Sequence, residues 1–234
     1  MTRLHSIERF DPITAVLFDF HRTLVDGGDP RAALAAAWAH VGRPGSPLEA
    51  LGPDRYQVLV DQVYHLWGNV HEVDPTSARD LSPQVHREVF GALAAPIADL
   101  DPELAQGYYD VMPRIWMAYE DSLPVLTRLR QQGLKLAVVS NVARDVRPVL
   151  ARNGLLELLD AVILSYEVAE VKPNPGIFQH ALDALGARPG QALMVGDNPF
   201  DDGGAAALGI RTLVLPRTEG RNHGLDAVLR LACG

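Results

Sequence analysis

The chain has 234 residues, 47% of them hydrophobic and 21% charged, with a formal net charge of -8. These ordinary globular proportions exclude a disordered or fibrous chain, and the acidic balance argues against a nucleic-acid-binding surface or an anionic-membrane footprint. The one cysteine, Cys233, can form neither an internal disulfide nor a zinc cluster, which fits a reducing cytoplasm.

Met1 to Phe10, carrying Arg3, His5, Glu8 and Arg9, lacks the apolar stretch of a signal peptide. No segment reaches the length of an apolar membrane span, so a soluble protein is expected. A first strand is predicted over Thr14–Phe18. From about Val25 to Tyr119 the pattern turns helical, with candidate helices Pro30–Val41, Pro53–Glu72, Ser82–Leu93 and Pro102–Tyr119, and reads as an inserted helical domain. Trp38, Trp67 and Trp116 fall in these helices and are read as filling the inserted core or a homodimer surface.

Beyond the insertion, strands are predicted at Lys135–Val139, Ala161–Leu164, Ala192–Val195 and Arg211–Leu215. Helices are predicted at Ser122–Gln132, Ala143–Asn153, Asn174–Leu185 and Gly203–Leu208. This βαβ alternation of short apolar runs with helical patterns implies an α/β protein with a doubly wound parallel sheet covered on both faces.

In such a sheet, ligands bind beyond the carboxyl ends of the strands, so residues just after strands carry the most information. Asp19 follows the first strand and Ser140-Asn141 the second. Lys172 comes after the third in Val171-Lys172-Pro173, and Asp197, Asp201 and Asp202 come after the fourth in Gly196-Asp197-Asn198-Pro199-Phe200-Asp201-Asp202. Singly, each has a plainer reading. Asp19 could cap a turn, Ser140 could cap the helix holding Val146 and Leu150, and Lys172 could be a surface lysine. Their order, each after a separate apolar strand, is harder to attribute to capping.

This order resembles the haloacid-dehalogenase-like hydrolase superfamily, with motifs at Asp19 to Leu24, Ser140-Asn141, Lys172-Pro173 and Gly196-Asp197 onward. The resemblance implies a Rossmann-like core over 1–24 and 120–234 and a helical cap over 25–119 that closes on the site. It also implies a phosphatase in which Asp19 attacks phosphorus to form an aspartyl-phosphate on a small phosphorylated metabolite. Magnesium would be held by Asp19, Asp197, the His21 backbone carbonyl and, by preference, Asp202, with Asp201 the alternative. Ser140 and Lys172 would stabilise the transferring group, and Thr23, Asn141 and Arg22 would contact substrate.

Two positions depart from the family pattern. His21 stands where its phosphatases commonly carry a second aspartate, and is read either as the replacement acid and base or as a side chain turned into the cap interface. Arg22 stands where glycine is usual. Two alternatives follow. One is a haloacid dehalogenase, disfavoured because the motif around Asp19 lacks the tyrosine those enzymes share; the other is a catalytically impaired phosphometabolite-binding protein. Tyr56, Tyr64, His65, Trp67, His71, His86, Arg87, Tyr108, Tyr109, Arg114 and Trp116 are candidate specificity groups of the insertion.

Overall fold

The computed structural model describes residues 11–216 and 220–233; the reading of Met1–Phe10 lies outside them. Its strands are β1 (Ala15–Phe18), β2 (Val25–Asp26), β3 (Met117–Ala118), β4 (Lys135–Ser140), β5 (Ala161–Leu164), β6 (Ala192–Gly196) and β7 (Arg211–Val214). Five form one sheet in the order β5-β4-β1-β6-β7, every neighbouring pair parallel. Strand β1 is central, so the residue that follows it is flanked by the ends of β4 and β6. Strands β2 and β3 form a separate antiparallel ribbon pairing Val25 with Ala118 and Asp26 with Met117.

That ribbon frames the helical insertion. It comprises α1 (Pro30–His40), α2 (Pro47–Leu51), α3 (Pro53–Tyr64), α4 (Val70–Val73), a 3-10 turn at Ala78–Leu81, α5 (Pro83–Ala94) and α6 (Pro102–Ile115). The starts of four of these helices are written locally. Asp29, Ser46, Ser82 and Asp101 each accept a backbone N–H of the first turn, and a proline follows each, where its missing N–H costs nothing. Leu34, Leu59, Phe90, Leu104 and Tyr108 belong to a core of the insertion's own.

The central strands alternate between two other cores, as a pleated strand covered on both faces requires. Val16, Phe18, Val138 and Val195 pack with Leu126 and Leu129 of α7 (Ser122–Gln131) and Leu150 of α8 (Arg147–Arg152). Ala15, Leu17, Val139 and Met194 face the other way, past the short helix α9 (Ser165–Val168), onto Phe178, Ala181 and Leu182 of α10 (Pro175–Leu185). The last helix, α11 (Asp226–Ala232), adds Val228 to the first face. No helix among the described residues is long and apolar enough to cross a membrane.

Four predicted helices differ from those observed. Pro53–Glu72 breaks after Tyr64, where the Gly68 N–H donates to the His65 carbonyl in a turn. Pro102–Tyr119 stops at Ile115: Pro113 has no N–H for the Tyr109 carbonyl, and Trp116 is already extended. Ala143–Asn153 starts only at Arg147, because Pro148 fits a first helical turn; Ser140 is therefore not its cap. Gly203–Leu208 is a 3-10 segment running Asp202–Leu208. Trp116 is likewise corrected, since it packs with the sheet-side core, its ring centroid 5.9 Å from that of Phe20.

Candidate active site

The β1 ladder carries on to Asp19, whose N–H donates to Val195 O at 2.8 Å, so its carboxylate emerges at the middle of the sheet's carboxyl edge. Buried Lys172 reaches in from the loop after β5 and α9. Its ammonium donates to Asp19 Oδ1 at 2.7 Å and to Asp202 Oδ1 at 2.6 Å. Thr23 Oγ1 donates to Asp19 Oδ2 at 3.1 Å and the Asn198 N–H to Asp202 Oδ2 at 3.0 Å.

The loop bearing Lys172 is fixed from β4. The Asn141 side chain clasps the Lys172 backbone, accepting its N–H at 2.7 Å and donating to its carbonyl at 2.9 Å. Asn141 thereby touches the lysine's main chain. Ser140, the last residue of β4, is buried beside it. On the other side Gly196 is required by contact: a Cβ there would lie 1.9 Å from Asp202 Oδ2, so only glycine lets that carboxylate lie across the end of β6.

Electrostatics follow from burial. Desolvation opposes the Lys172 ammonium, but the Asp19 and Asp202 carboxylates outweigh it and hold its pKa above the usual lysine range. Burial raises Asp19 and Asp202 despite the pull of Lys172. One oxygen from each of Asp19, Asp197 and Asp202 lies within 4.8 Å of the other two. Three buried carboxylates with one ammonium leave an excess of negative charge, and an all-oxygen donor set fits a hard divalent cation such as magnesium. Asp201, half-buried, instead accepts from the Asn198 side chain.

His21 and Arg22 lie on the tight turn after β1. The imidazole centroid is 5.3 Å from that of Trp116, and a Cβ on Gly27 would lie 3.3 Å from His21 Nε2, so the ring sits where the core meets the start of the insertion. Arg22 is exposed and adopts φ 64°, the left-handed conformation that explains glycine's suitability there. Its N–H donates to the Val25 carbonyl at 2.7 Å.

The insertion adds groups that were not singled out in the sequence. Arg79, on the 3-10 turn, forms ion pairs with Asp74 and Asp80, both at 3.1 Å. Burial pushes the Asp80 carboxyl up to about 7 against the pull of Arg79, with Asp74, Asp201 and Lys172 also contributing. The turn is seated on the core by Ser165, whose Oγ donates to the Asp80 carbonyl and accepts the Val142 N–H at 2.9 Å. Among the sequence candidates, His86 and Tyr109 share a 2.8 Å hydrogen bond beneath the same seam. A patterned sequence gives no sign of such pairings between elements.

The chain is similar to known proteins over most of its length. Residues 13–209 match the haloacid dehalogenase-like hydrolase family. The chain is 32% identical over 217 residues to a phosphoglycolate phosphatase of Aliivibrio fischeri, covering 92% of this chain and 88% of that one. It is 30% identical over 208 residues to (S)-2-haloacid dehalogenase 1 of a Pseudomonas species, covering 88% and 86%. A HAD phosphatase from Thermococcus onnurineus superimposes with a TM-score of 0.62 at 25% identity, covering 93% and 97%. With the four strand-end motifs gathered on one carboxyl edge and the match running through all of them, the chain belongs to the haloacid dehalogenase-like hydrolases.

Proposed function

We propose that the protein is a magnesium-dependent phosphate monoester hydrolase acting on a small phosphorylated metabolite, with Asp19 as nucleophile. The observation that carries this reading is the Lys172 ammonium bridging Asp19 and Asp202 beside Asp197. Attack on carbon by a carboxylate needs no cation site, whereas attack on a phosphate dianion must overcome like-charge repulsion. The extra carboxylates thus favour phosphorus over the halogenated carbon of a dehalogenase.

Magnesium held by Asp19, Asp197, Asp202 and the His21 carbonyl would supply charge neutralisation for the incoming phosphate. An Asp19 carboxylate oxygen attacks phosphorus, the bond to the leaving oxygen breaks, and the product is an aspartyl-phosphate plus an alcohol. Lys172 holds the Asp19 carboxylate in place and offsets charge on the transferring group; Ser140 donates to a phosphoryl oxygen. Thr23 fixes the other Asp19 oxygen, Asn141 acts through its hold on the Lys172 backbone and not by touching substrate, and Arg22, exposed on the turn after β1, is left to contact substrate. His21, as imidazolium, donates the proton the leaving oxygen needs. As imidazole it then takes one from the water that cleaves the acyl phosphate.

The test is inorganic phosphate release from a panel of phosphate monoesters, with magnesium and with chelator, alongside a haloacid control. Magnesium-dependent release that vanishes in Asp19→Asn is the expected result. Halide release without metal would instead make the protein a dehalogenase.

A further inference from the structure

The turn after β1 fixes the backbone of His21 but not the direction of its ring. The Leu24 and Val25 N–H groups both donate to the Phe20 carbonyl at 3.0 Å, and the Arg22 N–H donates to Val25 O, so the main chain is set by its own turn. The imidazole has several staggered positions open to it, and its neighbours decide among them. Those neighbours belong to the two linkers that lead into and out of the insertion. One is the Trp116 ring, its centroid 5.3 Å from that of the imidazole and its plane inclined by 58°, within the range of a packed aromatic pair. The other is Gly27: a Cβ there would lie 3.3 Å from His21 Nε2 and 3.4 Å from Cε1, so the bare backbone leaves the ring its place.

Trp116 is itself held from the core. It is buried, its ring meets that of Phe20 edge to face, and the Arg144 guanidinium carbon lies 5.8 Å from its ring centre. The Trp116 carbonyl accepts from Arg152 Nη2 at 2.8 Å, and the same nitrogen donates to Pro113 O at 2.9 Å. Two residues on, the Ala118 N–H donates to Asn153 Oδ1 at 2.9 Å. The end of α8 thus grips the chain before, at and after the indole. A side chain anchored at this many points is a fixed wall, and the His21 ring rests against it.

We propose that Trp116 is a positioning residue for proton transfer, which together with Gly27 keeps the His21 imidazole directed at the leaving oxygen. The inference rests on the hydrolase reading above, in which the bond from phosphorus to the leaving oxygen breaks and His21 gives that oxygen its proton. A general acid works only within hydrogen-bond reach of the atom it protonates, and a misplacement of about 1 Å can cost about 100-fold.

Two esters separate proton delivery from the rest of the reaction. 4-Nitrophenyl phosphate expels a stable phenolate that needs no proton, whereas an alkyl monoester expels an alkoxide that does. The measured quantity is kcat/KM, with magnesium present, for 4-nitrophenyl phosphate and for the alkyl monoester that the wild-type enzyme cleaves fastest in the panel above. Trp116→Leu is expected to lower the alkyl value at least about 10-fold, part of the roughly 100- to 10,000-fold that a general acid supplies, and to leave 4-nitrophenyl phosphate nearly unchanged. Gly27→Ala, which presses on His21 Nε2 from the first linker, should give the same pattern. Trp116→Phe, which keeps an aromatic face, should restore most of the alkyl activity. In a His21→Ala background, neither Trp116→Leu nor Gly27→Ala should alter the ratio of the two esters further. Thermal unfolding shows that each variant is folded, and Gly27→Ala carries the test if Trp116→Leu is not. Equal losses for the two esters, or an effect of Trp116→Leu that persists in full without His21, would overturn the assignment and leave Trp116 as packing alone. If His21→Ala itself spares the alkyl ester, the acid reading falls and takes this role with it; if only the Trp116 and Gly27 variants spare it, the positioning role alone falls. No phosphate from either ester would remove the hydrolase reading and the inference together.

Discussion

Replacing Lys172 by Met removes the one ammonium from a site where its two partners have almost no water. The Lys172 side chain is 3% exposed, that of Asp202 0% and that of Asp19 10%. Breaking a buried pair by deleting one member costs about 3–5 kcal/mol. Here two carboxylates are left unpaired within 4.8 Å of a third, so the upper end, about 5 kcal/mol, is expected at pH 8 without divalent cation. Against a typical domain stability of about 5–15 kcal/mol, that approaches unfolding.

The pH dependence has a definite sign. Burial already raises Asp19 and Asp202, and loss of the ammonium raises them further. The folded variant then binds protons at a higher pH than its unfolded chain, so the deficit is full above the folded pKa values and shrinks as pH falls. Urea unfolding followed by tryptophan fluorescence in chelator, at pH 8 and pH 5, measures both quantities. A loss under about 1 kcal/mol at pH 8, well below the buried-pair range, or one that does not change with pH, would refute the reasoning.

Three further outcomes are expected. Gly196→Ala should destabilise the protein by about 2–3 kcal/mol and weaken magnesium binding, because the added methyl displaces Asp202; chemical denaturation and metal titration measure the two effects. His21→Ala should lower turnover while leaving magnesium affinity nearly unchanged, since the proposed metal contact is a backbone carbonyl; steady-state kinetics against metal concentration separate the two. Burial, with Arg144, Arg79 and Arg87, depresses the His86 imidazole to about 4, so the unfolded chain takes up a proton first as pH falls below 6.5. His86 should therefore remove up to about 3 kcal/mol of stability by pH 4, and His86→Gln should flatten that part of the stability profile.

The sheet was legible because its signal is local. Runs such as Ala15-Val16-Leu17-Phe18 are buried on both faces, and a strand covered on both sides must read as continuously apolar. Asp19, Ser140 and Asp197 were legible for the related reason that each stands at or just past the end of such a run, whereas Lys172 comes only after α9 has followed β5. The same reading failed where a proline acts at a distance from where it is written. Pro113 ends α6 two residues later and Pro148 delays the start of α8, and both effects look like uninterrupted helix in the pattern. Trp116 was misassigned with α6. Asp80, Arg79 and Ser165 left no local trace, because their importance arises from pairings across more than eighty residues of chain in the case of Ser165 and Asp80.

The Ser165 hydroxyl has one proton and two carbonyl acceptors within reach: Asp80 O at 2.5 Å and Val142 O at 3.2 Å. Were the 78–81 turn to lift away, a rotation about one side-chain bond would redirect that hydroxyl to the Val142 carbonyl, and no orphaned donor would remain on the core side. This one contact can therefore be exchanged instead of broken, and its share of the cost of moving the turn omits the roughly 1–3 kcal/mol of stranding a buried donor. A contact of this kind fixes the position of the 78–81 turn without adding a stranded hydroxyl to the cost of moving it.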